Sequence, residues 1–540
     1  PIIETQAGNV SGYIPTNVME FYKLMKNIFL ILLTLFLGCN DNGQTNDDPP
    51  DTTCEIDELI GTWGPGRAFS GCTEDEYENA EGWDDGNDGY LILWLYGKDG
   101  RFKLNLNQSV NLHKNIRHNF GHTFNEIKIE NSNNLIYDIP YSGGLSDIWS
   151  GSAALPLDQD LKNWGIGDKE IEPYYKIISE QLPLSGRIDE INDKKTSFDT
   201  RPTRFVNSPP IKEHTLIKKL INKFNSIPTN DYFRIYTNYV FVDTKQNSFS
   251  KCINCQSCFS GCTKDSFFRP SKIINEWISN KIFSYVNDVV ESLKIINNQY
   301  EILTKSQKKL TFDKVFLCAG PLNSAKIIIN SFDYPLNDVY LYDIPTKFFP
   351  LISTIPKLSI DKKTFGFSTA SGGIILKTDN YHHLLFGQLP KEYFKAKIGN
   401  NFAANALKNI VNTFCLYGTI YGTNKDFFTY KLTKNFKLIS SESKKKTSID
   451  DNLNNAIKKL KKILFTKGFL ILNNFSIEGK SSSHYSSNLF NAYKIGVNGM
   501  GEFSKNLHIC DTSTLGHASS SQPHTFFIMA NSYRIADNAL

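Results

Sequence analysis

Short alternating runs and helical repeats divide the chain into readable elements. Residues 60–63, 90–96 and 101–104 read as short strands, and Lys98-Asp99-Gly100 suits a hairpin turn between the last two. From about residue 111 the pattern is that of a larger mixed α/β region. Val315, Phe316 and Leu317 form a short apolar run that ends at Ala319-Gly320-Pro321, as in a buried strand followed by a turn. Residues 351–437 read as strands and turns, with strands over 373–377 and 384–388 and the pair His382-His383 in a loop between them. Ile457, Leu460, Ile463 and Leu464 recur at helical spacing among Lys458, Lys459, Lys461 and Lys462, which predicts a helix with a solvated cationic face.

The carboxyl end is the most informative stretch. Residues 506–511 read as a short buried strand with Asp511 at its carboxyl end, where open α/β sheets place ligand contacts. A serine-rich loop follows. Phe526, Met529, Ala530, Tyr533 and Ala536 then repeat at helical spacing, and Pro523 suits the first helical turn. His524 is thereby placed at a helix N-terminus, where the macrodipole favours negative charge.

Composition narrows the classes of partner. The 540 residues carry 59 Lys and Arg against 55 Asp and Glu, a net charge of +4 that argues against nucleic acid as a main partner. With 40% hydrophobic residues the chain can bury a sizeable core, and at about 150 residues per domain it predicts two to four domains. No apolar run approaches the roughly 18 residues of a membrane span.

The first 110 residues divide into unlike pieces. Residues 1–18 resemble an internal fragment of the rotary ATP synthase alpha subunit, so residues 1–24 are expected to be a foreign or unstructured leader. The run from Met25 through apolar residues 28–37 to Gly38-Cys39 resembles a bacterial lipoprotein signal peptide, with Cys39 as the lipidated residue, and 40–53 as a polar tether. Residues 54–104 resemble part of a lipocalin-like β domain, in which Cys54 and Cys72 stand either as a pair or as free thiols. A used leader implies a membrane-anchored periplasmic or envelope protein; otherwise the chain is expected in the cytoplasm. Three such pieces in series predict a joined reading frame.

Cys252, Cys255, Cys258 and Cys262 form C-x2-C-x2-C-x3-C. The spacing resembles the bacterial ferredoxin cluster run, although Thr263 stands where proline is usual. Thiolates also bind zinc, pair as disulfides or stay reduced, and the spacing leaves these readings open.

His484 lies in a polar loop about 40 residues before His524. Unperturbed imidazole titrates near pH ~6.5, so two such histidines suit acid–base work. Oxidising an alcohol also needs a hydride acceptor, which no side chain provides. The strand, Asp511, loop, Pro523, His524 and helix together resemble the carboxyl-terminal signature of the glucose–methanol–choline flavin oxidoreductases. The resemblance extends to the loop at Gly143, Gly144, Ser146 and Trp149, to Ala154-Leu155-Pro156 and the segments at 160–164 and 171–175, and to Ala319-Gly320. It covers about 111–540 and carries no G-x-G-x-x-G, which implies weak retention of FAD.

What the resemblance implies is specific. The fold is α/β (α+β), a truncated Rossmann-like FAD domain from segments about 135–180, 250–335 and 480–540, with an antiparallel substrate sheet over about 340–480. The activity is oxidation of a CH–OH group of an alcohol or sugar, by proton abstraction and hydride transfer to flavin N5. His484 is the base and His524 its partner. Gly143, Gly144, Ser146, Trp149, Ala319, Gly320, Asp511, Pro523 and Thr525 contact FAD. Related sugar dehydrogenases hold an iron–sulfur cluster in this part of the chain, which assigns Cys252, Cys255, Cys258 and Cys262 as its ligands and implies an electron-acceptor protein. The alternative is a membrane-anchored lipocalin-like lipoprotein fused to a non-catalytic enzyme remnant.

Overall fold

The computed structural model describes short strands within 83–103. From 125 to 540 it describes all residues except 133, 140–142, 189–198, 226–232, 257, 259–261, 263, 334, 336, 355–362, 377–380, 389–413, 424–425, 442–444, 473–475, 480–483, 496–500 and 516–524. Every described residue lies in the unit Thr73–Leu540. The leader, the signal-like run, Cys39, Cys54, Cys72, Pro523 and His524 fall outside the described residues. Among the described residues no helix is long and apolar enough to cross a membrane.

The fold is α+β, with antiparallel and mixed sheets and eight α-helices among the described residues. At the amino-terminal end β1 (Trp83–Asp84) pairs with β2 (Tyr90–Leu91), and β3 (Leu95–Tyr96) pairs with β4 (Phe102–Lys103), both antiparallel. The second pair is the hairpin expected around Lys98-Asp99-Gly100.

A seven-stranded antiparallel sheet dominates the carboxyl-terminal half. Its order is β19 (Phe469–Ile471), β13 (Thr346–Ser353), β16 (Cys415–Tyr421), β15 (Tyr381–Gln388), β14 (Ser368–Ile375) and β7 (Phe233–Thr237), with β20 (Ile477–Glu478) also on β13. Side chains alternate across a strand. One face sends Phe349, Leu351, Ala370, Ile374, Leu384, Phe386, Leu416 and Ile420 into a core shared with two amphipathic helices. Helix α3 (Thr215–Asn225) contributes Leu216, Ile217, Leu220, Ile221 and Phe224, a single stripe at helical spacing. Helix α6 (Lys445–Phe465) contributes Leu453, Ala456, Ile457, Leu460 and Leu464, while Lys458, Lys461 and Lys462 are exposed, as the sequence pattern predicts. The opposite face of the sheet is aromatic and polar.

A six-stranded mixed sheet runs β21 (Tyr485–Ser487), β12 (Val339–Asp343), β17 (Phe428–Leu432), β18 (Leu438–Ser440), β5 (Asn125–Glu130) and β6 (Leu135–Asp138). It shares a core with α5 (Gly320–Ser331), α7 (Leu489–Ala492) and a small sheet of β11 (Val315–Leu317), β23 (Leu507–Ile509) and β22 (Glu502–Ser504). β11 and β23 are parallel, so their carboxyl ends point the same way. A meander of β8 (Val290–Ile296), β9 (Gln299–Thr304) and β10 (Lys309–Phe312) packs through β8 against α5.

The sheets divide differently from the expected segments. β7 joins the large sheet from outside 340–480, whereas β12, β17 and β18 belong to the six-stranded one. The cause is a crossing at Ile344-Pro345, where the chain leaves β12 for β13 and so passes from one sheet to the other. Helices α1 (Asp158–Asn163), α2 (Asp168–Gln181) and α8 (Thr525–Ala539) enclose a third, aromatic core. There Phe527 lies 4.8 Å from Trp164 and Phe526 lies 4.8 Å from Tyr175. The buried Arg534, in the second half of α8, pairs with Glu170 near the start of α2, which ties the two helices together. Helix α4 (Pro270–Ser279) completes the set.

Candidate functional site

The site forms where the two large sheets meet. In the register of β12 with β21, Asp343 stands opposite Tyr485, so His484 enters just before β21 at the Ile344-Pro345 crossing. In the register of β13 with β16, Thr346 stands opposite Tyr421. The crossing thereby brings the end of β16 to the start of β21. Tyr421 and His484 stack, with ring centroids 5.4 Å apart and planes 14° from parallel. His484 Nδ1 is sealed from solvent. The surrounding protein strips water from the imidazolium and pushes the His484 pKa down to about 4. The ring is therefore neutral at pH 7 and able to accept a proton.

His383 also packs on Tyr421, with ring centroids 5.8 Å apart and planes tilted by 51°. Its Nδ1 is 3.4 Å from the Tyr381 hydroxyl and its Nε2 is 3.4 Å from Ser371 Oγ. Burial, then the neighbouring His484, pushes its pKa down to about 3. His382 faces the opposite way, its Nδ1 2.9 Å from the carbonyl oxygen of Tyr421. Burial also lowers its pKa.

The placement of His382-His383 in a loop is thus corrected: both are in β15 and both are fully buried. Every residue of β15 is buried, so the strand shows no polar–apolar alternation. Tyr381 and His383 are one strand period apart, and that signal could have placed them on a shared face. Sequence reasoning also missed Tyr421, since an isolated tyrosine at a strand end carries no mark of its neighbours.

The parallel pair organises the second part of the site. β11 leads through Ala319 into α5, and β23 leads through Cys510 into Asp511. Asp511 is buried at the start of α5. Its Oδ2 accepts from Ser324 Oγ at 2.5 Å and its Oδ1 from the Ser513 N–H at 2.9 Å, and it also bonds the Gly320 N–H. Burial raises its pKa, and these bonds oppose the rise. The turn Thr512–Leu515 after Asp511 packs against β21, the strand that follows His484. The fold therefore brings the Asp511 and His484 elements together.

The glycine loop is built separately. Gly143 and Gly144 have φ of +86° and +49°, and a Cβ on Gly143 would fall 2.7 Å from Asp147 Oδ1. Asp147 in turn accepts from the Ser271 N–H at 2.9 Å, which caps α4. Ser146 is half-buried. Trp149 donates from Nε1 to the Phe268 carbonyl at 3.2 Å and stacks on Phe241 at 5.8 Å. Thr525 is the first residue of α8 and is half-buried.

These residues fit a flavin in one respect. At Gly320, φ +78°, a Cβ would meet nothing within 4 Å, so open space adjoins the amino end of a 12-residue helix. Gly144 has similar room, its nearest such neighbour being the Ile139 carbonyl oxygen at 3.9 Å. A flat ligand could approach the backbone at both points.

The cysteine run folds around a small apolar core of Ile211, Val240, Val242, Phe267, Phe365 and Phe367. Cys258 is buried, and Cys252, Cys255 and Cys262 are half-buried; all four are free thiols. Left-handed residues at Asn254 (φ 56°) and Gln256 (φ 64°) bend the run, and Cys255 bridges to Thr364. Burial pushes the Cys252 thiol up to about 12, with Cys262 and Cys255 adding to the rise. Burial also raises Cys258, again with the other three adding to it.

Backbone donors aim at two of the sulfurs: the Gly366 N–H at Cys258 Sγ, 3.3 Å, and the Ser266 N–H at Cys262 Sγ, 3.2 Å. Such donors suit thiolates and metal-bound sulfur. Among the described residues no group of three or more His, Cys, Asp or Glu stands at metal-holding geometry, so the fit rests on the chemistry of the donor set. The pocket borders Tyr417, whose pKa is pushed up to about 12 by burial, with Cys258 among the lesser causes. Tyr417 lies four residues, two strand periods, before Tyr421 and so on the same face of β16.

No family model matches the chain, and no curated protein matches it.

Proposed function

We propose that the chain is an FAD-dependent oxidoreductase acting on the CH–OH group of an alcohol or sugar, a dehydrogenase akin to the glucose–methanol–choline group. The observation that carries this reading is His484, held neutral against Tyr421 just before β21, the strand that packs beside the Asp511 turn. A neutral imidazole there takes the substrate hydroxyl proton. A bound flavin supplies the hydride acceptor.

Gly144, Gly320 and the start of α5 give the backbone approach, and Asp511 holds that start in place. Thr525 opens α8 beside His524, which the sequence resemblance pairs with His484. Cys252, Cys255, Cys258 and Cys262 are the proposed ligands of an iron–sulfur cluster, with an acceptor protein taking the electrons onward.

Titration of the isolated protein with FAD, followed by flavin fluorescence, tests the reading. Quenching on binding, and bleaching of the flavin absorbance by a panel of alcohols and sugars under anaerobic conditions, is the expected result. Absence of quenching at any FAD concentration would remove it.

A further inference from the structure

Two cysteines outside the C-x2-C run meet at the ends of the parallel strands. In β11 and β23, Val315 pairs with Leu507 and Leu317 with Ile509. The next step of that register sets Cys318 beside Cys510, and the Cys510 N–H donates to the Leu317 carbonyl at 2.9 Å. Neighbouring strands lie about 4.8 Å apart, inside the ~4.4–6.8 Å Cα separation a disulfide accepts. Cys318 is exposed and Cys510 is buried. The neighbouring Cys318 side chain is the leading cause that pushes the Cys510 thiol up, ahead of burial.

We infer that Cys318 and Cys510 are a redox-active pair that closes to a disulfide across β11 and β23. The exposed Cys318 is the sulfur an oxidant reaches, and the buried Cys510 is the resolving thiol. With a hydroperoxide as oxidant, the Cys318 thiolate attacks oxygen: an S–O bond forms, the O–O bond breaks, and alkoxide or hydroxide leaves. Cys510 sulfur then attacks Cys318 sulfur, and its proton departs with the sulfenic hydroxyl as water. Two electrons and two protons pass from the thiols to the peroxide. The bond would tie together the strand ends that lead into Gly320 and Asp511, so oxidation would stiffen the entry to α5. This inference does not depend on the flavin reading.

The test is peptide mapping of the folded full chain after brief treatment with hydrogen peroxide. Digestion without reductant should yield the peptides of Cys318 and Cys510 as one species, lighter by two hydrogens than their sum. The species should be absent in Cys318→Ser, an exposed substitution that leaves the core intact, and should be lost when the chain is oxidised in concentrated urea. Recovery of Cys318 as sulfinic or sulfonic acid with Cys510 still reduced would overturn the inference. So would linkage of Cys318 to any cysteine of the 252–262 run in place of Cys510.

Discussion

Tyr421, at the end of β16 in one sheet, and His484, just before β21 of the other, stack with ring centroids 5.4 Å apart although they are 63 positions apart (484 − 421). The contact exists because the chain crosses between the sheets at Ile344-Pro345, which carries β13 and β16 up to β12 and β21. It also orients an imidazole that burial keeps neutral. The first prediction concerns that ring. His484→Ala is expected to lower kcat on any accepted alcohol or sugar by about 10²- to 10⁴-fold, the usual weight of a general base, with KM changed less. Steady-state kinetics of the FAD-loaded protein measure both. An unchanged kcat would take His484 out of the role of base.

Acid should destabilise the fold through the histidine pair. His383 and His484 are held to about 3 and about 4 in the folded chain. Unfolded, each would bind its proton near pH ~6.5. Between those values the unfolded chain holds more protons, so stability is full above about pH 6.5 and falls as pH drops toward the folded values. Urea midpoints should therefore decline across that window. In His383→Gln with His484→Gln the decline should be shallower, and an equal slope would contradict the assignment.

Gly373 should not tolerate a side chain. An added Cβ would fall 2.1 Å from the Tyr381 ring, and that ring is what reaches His383 from the same strand. Gly373→Ala is expected to cost about 1–3 kcal/mol by overpacking. Chemical denaturation measures the cost. Tyr381→Ala in the same background should recover part of it by making room.

The cysteine pocket makes a chemical prediction. Anaerobically purified protein is expected to be brown, with iron and acid-labile sulfide, and Cys255→Ser with Cys258→Ser should bleach it. Colourless protein carrying zinc, or four titratable thiols, would end the iron–sulfur proposal. Gly366→Ala should weaken any cluster more gently, since its Cβ would fall 2.8 Å from the Gln256 carbonyl oxygen and 3.0 Å from Cys258 Sγ.

Local pattern by itself determined a good deal of this protein. The strand ending at Leu317 and the turn into α5, the strand carrying Asp511, the helix after Pro523 and the lysine-faced helix α6 all follow from short-range apolar spacing, and the structure has each of them. Chemistry-bearing residues such as His484, Asp511 and the clustered cysteines stood out because they lie in polar loops or at strand ends. Only the tertiary structure decided which sheet each strand joins, because β pairing links residues far apart in sequence and alternation does not name the partner. That is why β7 joins β14 and why His382-His383, read as a loop, became the start of a fully buried strand. The meeting of His484 with Tyr421 and His383 was likewise invisible along the chain. It depends on where one two-residue crossing turns between sheets, and burial at that junction, not sequence, keeps both imidazoles neutral.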